Sequence, residues 1–289
     1  MIISSELDSY GTVYLIIGAV KNFNTSTNSG DLGFIYLYRI LDKGKLEFVH
    51  KTPTETLPQS FGIIRNRLIV GIGQILRVYE LGQKKFLRKC ENRNYLSSIN
   101  KIEVIDGRIF ISDWADSIHV LNYKPDEALL YEFADDPIPR YISTFTMLDT
   151  ETVVCSDLFE NVFVLRLPPG YEENGEDDPT ATRFRWEQGS MSSANFKMEN
   201  LCNFHVGEVI TKLQKCTPVP LGAECILFVT SMGSIGALVP FESKEDIDFF
   251  THLEMYLWLE ALPLCGRDHV TFRSYSLPVK DVIDGDLCE

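Results

Sequence analysis

The chain has 289 residues, 45% hydrophobic, 24% charged and 11% aromatic, a globular composition that excludes collagen-like, low-complexity and wholly disordered proteins. Its 27 lysines and arginines against 41 aspartates and glutamates leave a net charge of −14, ill suited to binding nucleic acid unaided, because neutralising phosphates takes clustered cations. No apolar run reaches the roughly 18–20 residues that span a bilayer, and the first residues lack the basic start of a signal peptide.

In chain order the sequence reads as short alternating apolar runs separated by turns of Gly, Asp, Asn or Ser. Runs at 15–19 and 34–38 form the first pair, followed by 68–72 with 75–79, 109–113 with 117–121, 153–157 with 161–165, and 226–230 with 234–238. The last residues of the second runs, Tyr38, Tyr79, Leu121, Leu165 and Leu238, are spaced by 41, 42, 44 and 73 residues. The first three intervals match a four-stranded propeller blade of roughly 40–50 residues. A polar insertion from Gly170 to about Asn200 lengthens the fourth. Four strands per unit are expected, for the third unit near 99–105, 108–113, 117–123 and 128–133.

The first unit starts too late to hold an innermost strand, so an open blade edge is expected there, and with it a chain that is one piece of a longer protein and folds poorly alone. Ser243-Lys244-Glu245-Asp246 predicts a helix start, and Ile247, Phe250, Leu253 and Leu257 supply its apolar stripe until Pro263 stops it. The expected fold is therefore all-β: a partial β-propeller of about five four-stranded blades, the first incomplete, with one amphipathic helix and the start of a helical C-terminal domain. The expected divisions are residues 1–241 for the blades, 242–262 for the inserted helix, and 263–289 for a closing strand and the entry to that domain.

The residues offer little chemistry. Gly71-Ile72-Gly73 lacks the third glycine and the following helix of a phosphate loop, and reads as a tight hairpin turn. Asp113 and Asp157 hold equivalent places after second strands and read as carboxylates that accept backbone N–H groups at turns, rather than as a glycosidase pair. The five histidines are scattered, and the seven cysteines are widely spaced without a Cys-x-x-Cys pair, the pattern of reduced thiols. No catalytic residue, metal or cofactor is expected.

Several stretches carry a resemblance. They include Arg166-Leu167-Pro168-Pro169, His205-Val206-Gly207-Glu208, Pro263-Leu264-Cys265-Gly266-Arg267-Asp268-His269, Phe272-Arg273-Ser274-Tyr275 and Val282-Ile283-Asp284-Gly285-Asp286-Leu287-Cys288-Glu289. Together they resemble the third-subunit family of splicing factor 3b, within a wider family shared with large subunits of the damaged-DNA-binding and the cleavage-and-polyadenylation complexes. The resemblance implies a nuclear, non-catalytic scaffold in pre-mRNA splicing. It also implies contacts with a HEAT-repeat large subunit and small companion subunits, with RNA reached only through the complex, and with no membrane or small-molecule substrate. The alternative it leaves is a propeller adaptor in a DNA-repair ubiquitin ligase or in the polyadenylation machinery. Partner contacts are implied at Thr25, Ser97, Pro139, Arg140, Asp157, Ser231 and Lys280, with Arg140 and Lys280 as polar anchors. The blade assignment sets Thr25, Asp157 and Ser231 in loops joining second to third strands, and Ser97, Pro139 and Arg140 in loops joining fourth to first strands, so that they share one face.

Overall fold

A computed structural model describes residues 1–8, 10–23, 32–41, 44–83, 85–93, 97–171, 194–218, 224–260, 263 and 266–288. Blade one comprises β1 (Ile2–Ser4), β2 (Tyr14–Lys21), β3 (Leu32–Ile40) and β4 (Leu46–Thr54); blade two comprises β5 (Pro58–Ile64), β6 (Arg67–Ile72), β7 (Ile75–Leu81) and β8 (Phe86–Asn92). Blade three is built from β9 (Ile99–Ile105), β10 (Arg108–Asp113), β11 (Ser117–Lys124) and β12 (Leu129–Asp135). β13 (Ile142–Met147), β14 (Thr152–Asp157) and β15 (Asn161–Arg166) begin blade four. After the two-residue β16 (Phe196–Lys197), β17 (Glu199–His205) completes it. β18 (Ile210–Cys216), β19 (Cys225–Thr230) and β20 (Ile235–Leu238) form a three-stranded blade five. Sequential antiparallel strands in separate sheets make this an all-β, partial propeller.

The place expected to lack an innermost strand in blade one holds a short one: Ile2, Ile3 and Ser4 pair with Ile16, Leu15 and Tyr14. Three residues separated from their partner by a loop give no alternation long enough to be read in sequence. Among the described residues the blade short of a strand is blade five. Blade three gains an edge instead, where β16, from the end of the polar insertion, pairs in parallel with β12.

Burial explains the strand sequences. The second strands of blades two, three and four are covered on both faces and therefore carry runs of consecutive apolar residues, with all six residues of β14 buried. Outer strands such as β8 alternate or lie exposed. The chain forms two compact units, 1–140 with 170–197, and 141–169 with 198–289. In the first, Ile64, Ile69 and Leu76 of blade two pack on Ile99, Ile102 and Ile109 of blade three, while Ile16, Ile35 and Leu37 of blade one pack on Leu68, Val70 and Ile72. In the second, Val154 and Val162 meet Ile210, Leu213 and Ile226.

The joints inside the first unit are close. A Cβ at Gly18 on β2 would stand 2.3 Å from the backbone oxygen of Pro58 on β5. At Gly71 on β6 it would stand 2.3 Å from Ser60 Oγ and 2.9 Å from Ile99 Cγ2 on β9. Neighbouring sheets thus meet across glycines, where only a missing side chain leaves room.

The second unit ends in helices α1 (Lys244–Glu260), α2 (His269–Arg273) and α3 (Gly285–Cys288). The predicted start is where α1 begins, and Ser243 Oγ accepts the Glu245 N–H at 3.2 Å as its cap. Phe250, Leu253 and Leu257 of the predicted stripe are half-buried, Ile247 is exposed, and none of the 17 residues is buried. No helix among the described residues is long and apolar enough to cross a membrane.

Candidate protein-interaction face

The same device closes the hairpin between second and third strands in blades three, four and five. Each second strand ends on a residue whose side-chain oxygen accepts a turn N–H: Asp113 from Ala115 at 2.9 Å, Asp157 from Phe159 and Asn161 at 2.9 Å each, and Thr230 from Ser234 at 3.0 Å. Each hairpin runs four residues on from that anchor, to Ser117, Asn161 and Ser234. In each, the residue after the anchor donates its N–H to the residue just before its blade's first strand: Trp114 to Ser98 (3.0 Å), Leu158 to Tyr141 (2.9 Å) and Ser231 to Val209 (2.8 Å). The anchors are buried, so the turns are rigid, and what the tips present outward is apolar. Trp114 is 43% exposed, Phe159 59% and Met232 79%. Phe159 meets the half-exposed Tyr141 edge to face at 5.8 Å.

These bonds settle where most of the expected contact residues lie. In the first unit Ser97 donates its N–H to Asp113 Oδ2 at 3.0 Å and its hydroxyl to Oδ1 of the same carboxylate. The Ser117 N–H bonds the Arg140 carbonyl at 3.1 Å, so Ser97, Trp114 and the Pro139-Arg140 loop gather at one end of blade three. In the second unit Asp157, Leu158 and Phe159 join Tyr141 on one side; on the other, the Val206 N–H reaches the Glu160 carbonyl at 2.8 Å, leading to Val209 and Ser231. Thr25 lies outside the described residues, as does Cys265.

The two expected anchors stand differently from the rest. The Arg140 side chain is 4% exposed and donates to Asp136 Oδ2 at 3.2 Å, while Asp136 also holds the Ser117 hydroxyl and the Ile138 N–H. The guanidinium, bonded through Nη1 to the carboxylate four residues earlier, braces its own loop. Burial pushes the Asp136 carboxyl above its usual range, against the opposing pull of Arg140 and Ser117. Lys280 is exposed, but its backbone pairs with Asn203 on β17 and its Nζ donates to the Asn200 carbonyl at 2.6 Å, which places it along the blade's outer edge rather than at the turns. The apolar tips stand next to the expected positions, Phe159 two residues after Asp157 and Met232 directly after Ser231. Their signal in the sequence is an exposed apolar residue one or two places after the residue that ends each second strand: Trp114 one after Asp113, Phe159 two after Asp157, and Met232 two after Thr230.

Behind the blade-three turn sits a titratable group. Burial opposes a charge on His119, but Glu132, 2.6 Å from Nδ1, with Asp116 and Asp113 farther out, outweighs it and holds the imidazole at about 9. The unfolded value is about 6.5, so the folded chain binds this proton more tightly. The resulting stabilisation is complete below about pH 6.5 and is lost as the pH rises through about 9. Urea unfolding across that window should show stability falling by about 1–3 kcal/mol more in the parent chain than in His119→Gln. Equal slopes would mean that folding leaves the imidazole's hold on its proton unchanged. Among the described residues no group of three or more His, Cys, Asp or Glu is placed to hold a metal ion.

Comparison with known proteins adds what geometry alone does not. The profile of the CPSF A subunit region matches residues 1–289. The chain is 45% identical over 277 residues to Splicing factor 3B subunit 3 of Danio rerio, and 42% identical over 280 residues to the protein of that name in Drosophila melanogaster. It is 46% identical over 282 residues to Spliceosome-associated protein 130 A of Arabidopsis thaliana. The alignments cover 96–97% of this chain and 23% of each relative, so the chain spans about a quarter of their length.

Proposed function

Because the chain belongs to the family of the CPSF A subunit region, we propose that it serves as a non-catalytic propeller scaffold of a splicing factor 3b assembly in the nucleus, gripping protein partners with its blade turns. The observation that carries this reading is the set of apolar tips, Trp114, Phe159 and Met232, each mounted on a hairpin locked from within. Exposed aromatics and methionine on rigid loops are the residues from which interface hot spots are made. The partners fitting the family are a HEAT-repeat large subunit and small companion subunits. RNA is reached through them, in keeping with a net charge of −14.

The test is to tag the chain, purify its native assembly from nuclear extract, and repeat with Phe159→Asp combined with Met232→Asp. Both side chains are exposed, so the fold should survive, as an unchanged melting temperature would verify. Recovery of the HEAT-repeat splicing subunit should fall by about tenfold or more. Undiminished recovery would remove the tips from the interface. Co-purification of a cullin-type ligase or of the polyadenylation machinery would move the chain to the sister branch of its family.

A further inference from the structure

Helix α1 covers a cavity inside the second unit, and the surroundings of that cavity specify what enters it. Phe204, Met255, Trp258, Val270, Val279 and Val282 supply apolar walls around about 170 Å³, near the ~150 Å³ that admits a benzene ring. The charged groups beside it are occupied. Arg273 donates from Nε to Asp284 at 2.5 Å, from Nη1 to the carbonyls of His205 and Val206 at 3.1 Å each, and from Nη2 to Asp286 at 3.0 Å. Glu254 accepts the Asp284 N–H at 3.0 Å, and His269 Nε2 stands 2.8 Å from Asp284. The hollow therefore has apolar walls on a fixed polar floor, suited to one bulky apolar side chain.

Around the mouth the surface is apolar and then acidic. Met255 is 52% exposed and Leu259, one turn on, 72%, with Val270 at 44% across from them. Exposed apolar side chains gathered on one helix face are what helix-docking surfaces carry. Residues 241–289 hold eleven carboxylates against four lysines and arginines. Asp248 lies on the same helix face as Met255 and Leu259, two turns before the first of them. Two of the four cations are engaged, Arg273 as above and Lys280 with Asn200, and so are the carboxylates of Glu254, Asp268, Asp284 and Asp286, so the acidic excess persists after both are set aside. Charge complementarity then fixes the sign of the occupant.

We propose that α1 and this cavity form a second docking site, which takes a basic segment of another protein by seating one aromatic or large aliphatic side chain in the hollow while flanking lysines or arginines face the carboxylates of α1. The proposal stands whether or not the blade tips bind a splicing subunit, because the two surfaces are read by different variants.

A photo-crosslinking residue at Leu259, in the native assembly, tests it. The expected adduct is a segment with a bulky apolar residue flanked by at least two lysines or arginines. Its yield should drop about fivefold or more in both Met255→Glu and Asp248→Lys, and on raising the salt from about 0.1 to 0.5 M. Phe159→Asp with Met232→Asp should leave the adduct at α1 itself unaltered. An adduct with a second copy of this chain, with an acidic or uncharged segment, or with nothing overturns the proposal, as does a yield indifferent to Asp248→Lys.

Discussion

Replacing Asp284 by alanine should destabilise the second unit by about 3–5 kcal/mol, the largest loss expected of any polar substitution in it. Asp284 is 3% exposed and sits between Arg273 Nε and His269 Nε2. Arg273 is itself 8% exposed, stacked near the rings of Phe204 at 4.6 Å and Phe272 at 5.2 Å. Removing the carboxylate strands a guanidinium in an apolar shell, where two carbonyls and the outlying Asp286 remain to hold it. Trp258 lines the adjoining cavity, so its fluorescence during urea unfolding reports the event locally. Asp286→Ala is the control. That side chain is 87% exposed, and its loss should cost no more than about 1 kcal/mol. Equal losses at both positions would show that burial does not set the strength of this cluster.

Gly18→Ala should cost about 1–3 kcal/mol, and Gly18→Val more, lowering the melting temperature by roughly 5–10 °C in the larger case. A methyl group there would press on the Pro58 carbonyl at 2.3 Å and on the Phe61 ring at 3.0 Å. The first obstacle is backbone, which cannot rotate away as a side chain can. β2 and β5 would have to separate, opening the apolar contact of Ile16 with Leu68 and Val70. Gly285→Ala, with open space around it, should stay within about 0.5 kcal/mol. If Gly18→Ala melted like the parent chain, the seam between blades one and two would be looser than described.

Local pattern carried much of the architecture into the sequence. Runs such as Leu68-Ile69-Val70 and Val153-Val154-Cys155 declared second strands because both their faces are buried, and Asp113 and Asp157 marked the ends of those strands. Four strands of blade three fall within two residues of their expected limits. What stayed hidden depends on distant partners. β16 is two residues long and exists only because β12 offers an edge. The burial of Arg140 is decided by the fold of Pro137-Ile138-Pro139 around Asp136, which no spacing displays. Arg273 could be picked out by resemblance, but its joining of α2 to β17 and to Asp284 emerges only when residues 205 and 273 come together.

The glycine joints bear on how such a protein changes over generations. Blade two carries at Gly71 the clearance that Ile99 of blade three needs, and blade one carries at Gly18 the clearance that Pro58 of blade two needs. A blade is consequently not an interchangeable cassette. Gene duplication or recombination that inserts a blade has to bring the matching edges of both neighbours, or meet a methyl group against a carbonyl at the new junction. In this part of the chain, the unit that can be inherited as a working part is the joint between two blades.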